Sequence, residues 1–328
     1  MAQPVPVRAT APTDTIREAV RPRRLVPGDR VALVAPSGAV ERDRLAAGIE
    51  ILRSWDLDVV VLPHVRDIHP EHAYLAGADV HRAADFQQAW LDPTVAAVIC
   101  VRGGYGVQRM VDLIDWNVLR TAPPKTLVGF SDITVLHEAV ATRLGVATLY
   151  GPLAAGFVFT TDGPTADHLR RTLFEPETTT VLTSPTAEAL IPGRARGILA
   201  GGCASLLAAE LGTPTARPSF AGTVLLLEDV NEQPYRLDRV LTQLVRSGTL
   251  DGVAGIALGS WDGCGPLDKV RQVMVDRLGP LGVPIVWELG FGHSPTSLTV
   301  PLGVAAVLDA DAGTLTLDAP VLTPPNAE

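Results

Sequence analysis

Thr126-Leu127-Val128-Gly129-Phe130-Ser131-Asp132 is the stretch on which the reading of this chain turns. Thr126-Leu127-Val128 is a short apolar run, and a helix-like stretch follows from Ile133 to Leu144. A serine at such a strand-to-helix junction is held at the tip of a tight turn, with the first helical N–H groups pointing back toward its Oγ. Those N–H groups can stabilise an oxyanion forming beside the serine, which suits a nucleophile. An ordinary helix cap fits the same residues, because serine is a favoured N-cap and Asp132 suits the positive helix end. The local residues leave both readings open.

Working outward, strand-like and helix-like segments alternate. Val31 to Ala35 reads as a buried strand ending at Pro36-Ser37-Gly38, Glu41 to Trp55 as an amphipathic helix, and Asp58 to Leu62 as a strand. Ala78 to Leu91 reads as a helix, and Val95 to Val101 as a strand that runs into Arg102-Gly103-Gly104-Tyr105-Gly106. Apolar strands alternating with amphipathic helices indicate a parallel sheet covered on both faces. Ligands of such sheets bind beyond the carboxyl ends of the strands, where the Pro36, Arg102 and Ser131 turns would gather.

Residues 151–196 break the pattern. A helix near Thr165–Phe174 and the polar run Thr178 to Pro192 read as a crossing. Beyond it, Gly201-Gly202 reads as the opening of a helix, Thr223 to Leu227 as a strand ending at Glu228-Asp229, and Tyr235 to Ser247 as a helix. Gly252 to Leu258 is strand-like, Leu267 to Leu278 helix-like, and Pro284 to Trp287 a strand leading to Gly290-Phe291-Gly292-His293. Leu298 to Val300, Gly303 to Leu308 and Thr314 to Leu317 read as β-hairpin material. The expected division is a disordered tail over 1–24, an α/β domain over 25–160, a linker over 161–196 and a second domain over 197–328.

Composition narrows the function classes. With 328 residues, 47% hydrophobic and 19% charged, the chain can build a sizeable core. A net charge of −9 argues against nucleic acid as a main partner. Cys100, Cys203 and Cys264 form no CxxC pair, which speaks against a disulfide framework or structural zinc and for a reducing cytoplasm. No apolar stretch approaches the length of a membrane span, and residues 1–24 hold no apolar run of the kind a secretory signal needs.

A serine nucleophile needs a base, and the base an orienting acid. His64, His69, His72, His81, His137 and His168 lie in helices or polar loops and read as surface or satisfied residues. His293 differs, because it follows a glycine pair at the end of an apolar strand, where the backbone is free and a ligand can approach. Glu228 ends a buried strand, so its carboxylate needs a partner. Asp229 and Glu232 are nearby alternatives, and an exposed loop remains open for Glu228.

These residues match a family. The chain resembles the L,D-carboxypeptidases of the muramoyl-tetrapeptide type, serine peptidases grouped with the microcin C immunity proteins. The resemblance rests on Ala35-Pro36-Ser37-Gly38, Arg102-Gly103-Gly104-Tyr105-Gly106, Gly129-Phe130-Ser131-Asp132, Gly201-Gly202, Leu227-Glu228-Asp229-Val230 with Tyr235-Arg236-Leu237-Asp238-Arg239, and Gly290-Phe291-Gly292-His293. It spans most of the chain. It implies a catalytic triad of Ser131, Glu228 and His293, and an oxyanion hole from backbone N–H groups of Gly103, Gly104 and Asp132. It also implies an N-terminal flavodoxin-like domain, a C-terminal swivelling β-barrel-like α/β domain, a homodimer, and neither cofactor nor metal. One departure is Cys203, where the family commonly has Asn after the glycine pair, which puts substrate contact there in doubt.

The activity implied is hydrolysis of an L,D-peptide bond that releases terminal D-Ala from muropeptide tetrapeptides in peptidoglycan recycling. Arg102 and Arg236 are the cations nearest the motifs for the D-Ala carboxylate, although a salt bridge also suits Arg236. Tyr105 packs on substrate or in the core. An alternative is a microcin-immunity-type hydrolase of aminoacyl-nucleotide amides, for which Trp261 or Trp287 would stack on a base. A non-catalytic muropeptide-binding module is a third reading.

Overall fold

The structure, a computed structural model, describes residues 16–325. Its first sheet contains β1 (Arg30–Val34), β2 (Asp58–Val61), β3 (Val95–Cys100), β4 (Thr126–Gly129) and β5 (Thr148–Tyr150), all paired in parallel. Their spatial order is β2-β1-β3-β4-β5. That is the flavodoxin-type doubly wound arrangement, whose ligands sit beyond the carboxyl ends of the strands. The strands are apolar because helices cover them. The helix Arg42–Ser54 buries Leu45, Ile49 and Leu52, and the helix Asp79–Leu91 buries Ala83, Phe86 and Trp90.

The second sheet has β6 (Val181–Leu182), β7 (Glu188–Ile191), β8 (Arg194–Cys203), β9 (Thr223–Glu228), β10 (Gly255–Leu258), β11 (Ile285–Trp287), β13 (Ala305–Asp309) and β14 (Thr314–Leu317). Its order is β6-β14-β13-β8-β9-β10-β11-β7, with a parallel centre and antiparallel flanks. The two edge strands, β6 and β7, are separated only by residues 183–187. So short a connection curls the sheet toward a barrel.

Several expectations need correction. Residues 161–196 are not a bare linker: they hold the helix Gly163–Phe174, both edge strands of the second sheet and the start of β8. Gly201-Gly202 does not open a helix but ends β8, and the helix begins at Ala204. Its glycines disguised this strand, yet they are what its surroundings require. A Cβ on Gly202 would lie 2.6 Å from Thr134 Oγ1 and 2.9 Å from Tyr150 Cε2. Gly202 therefore lets the second sheet press against the first domain, and Gly201 lies against Leu226 of β9.

Val300 is not hairpin material either. It opens β12 (Val300–Leu302), which crosses back and pairs antiparallel with β5, covering the edge of the first sheet. The expected tail is ordered from Ile16 onward: Val20 bridges to Val146, Arg23 to Thr323, and the Arg23 guanidinium pairs with Asp29 at 2.7 Å. Residues 1–15 of that tail lie outside the described residues.

Candidate active site

Three strand-end turns of the first sheet meet, held by buried polar contacts. The Asp132 carboxylate accepts from the Ser37 hydroxyl and from the Val107 N–H at 3.0 Å. Gly38 N–H donates to Gly103 O at 3.0 Å, and buried Arg82 donates to the carbonyls of Pro36 and Gly106. Sequence reasoning missed Arg82, which looked like one charge on an amphipathic helix. Burial pushes the Asp132 carboxyl up and the Arg82 guanidinium down.

Ser131 occupies the left-handed region at φ +65°, rare for a residue with a Cβ and costing roughly 1–2 kcal/mol. It is therefore not the ordinary N-cap. The short 3₁₀ turn Ser131–Ile133 leads into the helix Thr134–Arg143. A Cβ on Gly103 would stand 3.1 Å from Ser131 Cβ and 3.3 Å from its Oγ, so the glycine turn passes directly beside the hydroxyl. The Gly103 and Gly104 N–H groups have no protein acceptor among the described residues.

The second domain brings the two other groups. Glu228 is the fully buried last residue of β9, and His293 follows the β11 loop. Glu228 Oε2 accepts from His293 Nδ1 at 2.7 Å and from the His293 backbone N–H at 3.1 Å. An ionised carboxylate only accepts, so Nδ1 carries the ring proton and Nε2 is free to accept. Ser131 Oγ stands 3.1 Å from that Nε2. A proton can thus pass from the serine to an imidazole oriented by a buried carboxylate.

Tyr150, which the sequence did not single out, ties the halves together. Its hydroxyl donates to Glu228 Oε1 at 2.6 Å and accepts from the Ser131 N–H at 3.2 Å. Burial, then the Glu228 charge, push the Tyr150 hydroxyl well above its ordinary pKa, so it remains a donor. Burial pulls the His293 imidazole down, but the charge and hydrogen bond of Glu228, with help from Asp229 and Asp262, outweigh it and leave the pKa raised. Asp229 is pushed up to about 6 by burial and by Glu228.

A cavity of about 660 Å³ opens over Ser131 and His293, walled by Arg102, Leu153, Phe157 and Phe159 among others. Arg102 lies on this wall and donates to the Ala39 carbonyl. Tyr105 is 46% exposed beside Tyr74 and does not line the cavity. Arg236 lies on the exposed side of its helix, 3.8 Å from Glu232, as a salt-bridging residue would. Trp261 is buried and stacked on Trp287 at 6.4 Å. Cys203 is buried, its backbone N–H bonded to Thr134, and lines neither this cavity nor its neighbour. Burial, then Glu228 and Asp229, push its thiol well up, which removes it as a nucleophile.

His137 and His168 are satisfied internally. His137 bridges Thr148 and the Gly129 carbonyl, and His168 accepts from the Thr299 N–H; burial lowers both to about 4. His64, Asp67 and His81, by contrast, bring donor atoms within 4.8 Å of one another, a grouping the sequence did not suggest. The two rings stack at 4.1 Å and 17°, so their in-plane lone pairs do not converge. Among the described residues no helix is long and apolar enough to cross a membrane.

A serine, an imidazole and a buried carboxylate thus stand in one hydrogen-bonded row at the joint of a flavodoxin-like domain and a curled sheet. The chain belongs to the LD-carboxypeptidase family: that family's N-terminal domain matches residues 31–151 and its C-terminal domain residues 196–308. It is thus a peptidase by family. A Streptomyces coelicolor protein, a carboxypeptidase by inference in its own name, is 61% identical over 94% of this chain and 100% of its own length. The murein tetrapeptide carboxypeptidase of Pseudomonas aeruginosa is 32% identical over 86% of this chain and 94% of its own length. In fold, the chain is similar to the solved structure of MccF in complex with glutamyl sulfamoyl guanosine, with a TM-score of 0.82 at 20% identity over 92% of this chain and 99% of that one.

Proposed function

We propose that the protein releases the terminal D-Ala of muropeptide tetrapeptides by hydrolysing an L,D-peptide bond through Ser131, His293 and Glu228. The observation that carries this reading is the continuous row Ser131 Oγ–His293 Nε2 at 3.1 Å and His293 Nδ1–Glu228 Oε2 at 2.7 Å, open to a cavity with Arg102 on its wall. His293 takes the serine proton as Oγ attacks the carbonyl carbon. Glu228 holds the tautomer and stabilises the imidazolium. The backbone N–H groups of Gly103, Gly104 and Asp132 receive the oxyanion, where losing one donor typically costs roughly 10²–10³ in rate. His293 then hands its proton to the departing amine, and water, deprotonated by the same imidazole, releases the peptide from Ser131. Arg102 receives the D-Ala carboxylate.

The similarity to a murein tetrapeptide carboxypeptidase supports this substrate. Peptidoglycan recycling in the cytoplasm by a homodimer belongs to the same proposal. The likeness to MccF supports a second substrate class, aminoacyl-nucleotide amides. Against it, the aromatic that would stack on a base, Trp261, is only 2% exposed and packs against Trp287. Purified protein offered an L,D-tetrapeptide and an aminoacyl sulfamoyl adenylate separates the two: D-Ala release is expected, and cleavage of the adenylate alone would overturn the carboxypeptidase reading.

A further inference from the structure

Asp229, the residue after Glu228, is buried and lines neither the cavity over Ser131 nor the one beside it. Its carboxylate accepts from the Ser205 N–H at 2.8 Å, the Val230 N–H at 2.9 Å, the Ser205 hydroxyl at 3.3 Å and the Cys203 thiol at 3.5 Å. Its own N–H donates to Ser260 O at 3.3 Å. Asp229 therefore ties together the carboxyl ends of β8, β9 and β10. Every one of these side-chain partners is neutral, and among the described residues Asp229 forms no ion pair. An amide oxygen accepts from the same kinds of donor, so the tie itself does not call for a charge. A charge is costly there, because burial and the like charge of Glu228 both oppose it and push Asp229 up to about 6. The N-terminal end of the helix Ala204–Glu210 offsets part of that cost through the Ser205 N–H.

The titratable groups around this corner are Glu228 and Glu232 beyond β9, Cys203 at the end of β8, Asp262 and Cys264 in the turn after β10, Tyr150 from the first domain and His293 beyond β11. Burial keeps both thiols neutral, raising Cys203 well up and Cys264 to about 11, and the Tyr150 hydroxyl is neutral as well. Only His293 can become a cation here, and Asp229 acts on it in the same direction as Glu228. We propose that Asp229 is a positioning residue for the proton transfer: its buried charge, next to Glu228, holds the His293 imidazolium that forms when Ser131 gives up its proton. This rests on the Ser131–His293–Glu228 reading above and adds a second carboxylate to it.

The test follows the His293 ring by NMR across pH in the unsubstituted protein, Asp229→Asn and Ser205→Ala, beside pH profiles of D-Ala release. Asp229→Asn keeps the size and an acceptor oxygen and removes the charge. His293 titrates above the ordinary 6.5, where Asp229 is largely ionised. The variant should therefore lower the His293 pKa by roughly 1 unit, the scale of a nearby opposite charge. The acid limb of kcat/KM should move to lower pH by the same amount, and kcat should fall about tenfold with KM unchanged. Ser205→Ala, which loosens the corner and keeps the charge, should leave the titration in place. Asp229→Ser, a second neutral acceptor, repeats the measurement independently. An unchanged His293 titration in folded Asp229→Asn or Asp229→Ser overturns the inference, as does an equal shift in Ser205→Ala. Loss of folding in both Asp229 variants makes the residue a structural one and overturns it too. A shifted titration without D-Ala release by the unsubstituted protein removes the peptidase reading and leaves the charge on His293 standing, whereas release with an unshifted titration does the reverse.

Discussion

In the first domain the serine beside the base, Ser131, itself takes the left-handed backbone angle; in the second, Glu228 and His293 do not, and the glycines Gly290 and Gly292 before His293 take it. The hydroxyl of Ser131 is therefore aimed by the backbone, which the Ser37–Asp132–Val107 contacts and the Arg82 guanidinium hold in place. Glu228 and His293 are aimed instead by side-chain hydrogen bonds around unstrained backbone. Substitution at 131 should accordingly leave the turn where it is, whereas changes around Glu228 should disturb the geometry of its partners. Tyr150, bonded to both halves, is where the two modes meet.

The comparison can be broken in several ways, taken from the largest expected effect. His293→Ala and Glu228→Gln should each lower kcat for D-Ala release by roughly 10³–10⁴, the scale of losses at triad members. Glycine 292 comes next. A Cβ there would lie 2.6 Å from Glu228 Cγ and 2.7 Å from its Cδ, at φ +92°. Gly292→Ala should therefore push the carboxylate aside and cost about 100-fold, the scale of a 1 Å misplacement. Gly145→Ala, also at positive φ but with open space around it, serves as the control that costs stability alone.

Tyr150→Phe should lower activity by about tenfold and stability by about 1–3 kcal/mol, because it leaves the Ser131 N–H without its partner. Thermal unfolding and kcat, measured together, check both parts. Ser131→Gly should abolish activity yet raise stability by about 1 kcal/mol, since glycine takes the left-handed angle without strain. A fall in melting temperature for that variant would contradict the strained-turn account.

The pH dependence has opposite signs for activity and stability. His293 must be neutral to act as base, so kcat/KM should rise with pH through its raised pKa. The stability that the protonated imidazole gains from Glu228 is fully present below the unfolded histidine value of 6.5 and is lost as pH rises through the folded pKa. In Glu228→Gln the main cause of the rise is gone, so the acid limb of the residual activity should move to lower pH.

Legibility in the sequence followed the same divide. The first domain was readable because its apolar strands and amphipathic helices each carry their own periodicity, and the Ser131 turn sits at a strand end. In the second domain, β8 was hidden by Gly197, Gly201 and Gly202. Gly202 is explained only by what lies across the interface, Thr134 and Tyr150, whereas Gly197 and Gly201 lie against β9 and its approach within the same sheet. The two-residue β6 and the four-residue β7 lie in a polar stretch and are strands only because β14 and β11 offer them an edge. Ser131, Glu228 and His293 are singled out as candidates through the family resemblance more than through local pattern. Tyr150 could have been suspected only as a polar aromatic ending an apolar strand, and Arg82 carried no signal, because its partners are carbonyls of distant turns.

The central claim is that Ser131 is the nucleophile for D-Ala release. The direct measurement is the rate of D-Ala formation from an L,D-tetrapeptide by the unsubstituted protein and by Ser131→Ala, with thermal unfolding recorded for both. The account predicts release by the former, a loss of roughly 10⁴-fold or more in the latter, and closely similar unfolding temperatures. Release by Ser131→Ala at the unsubstituted rate would contradict it.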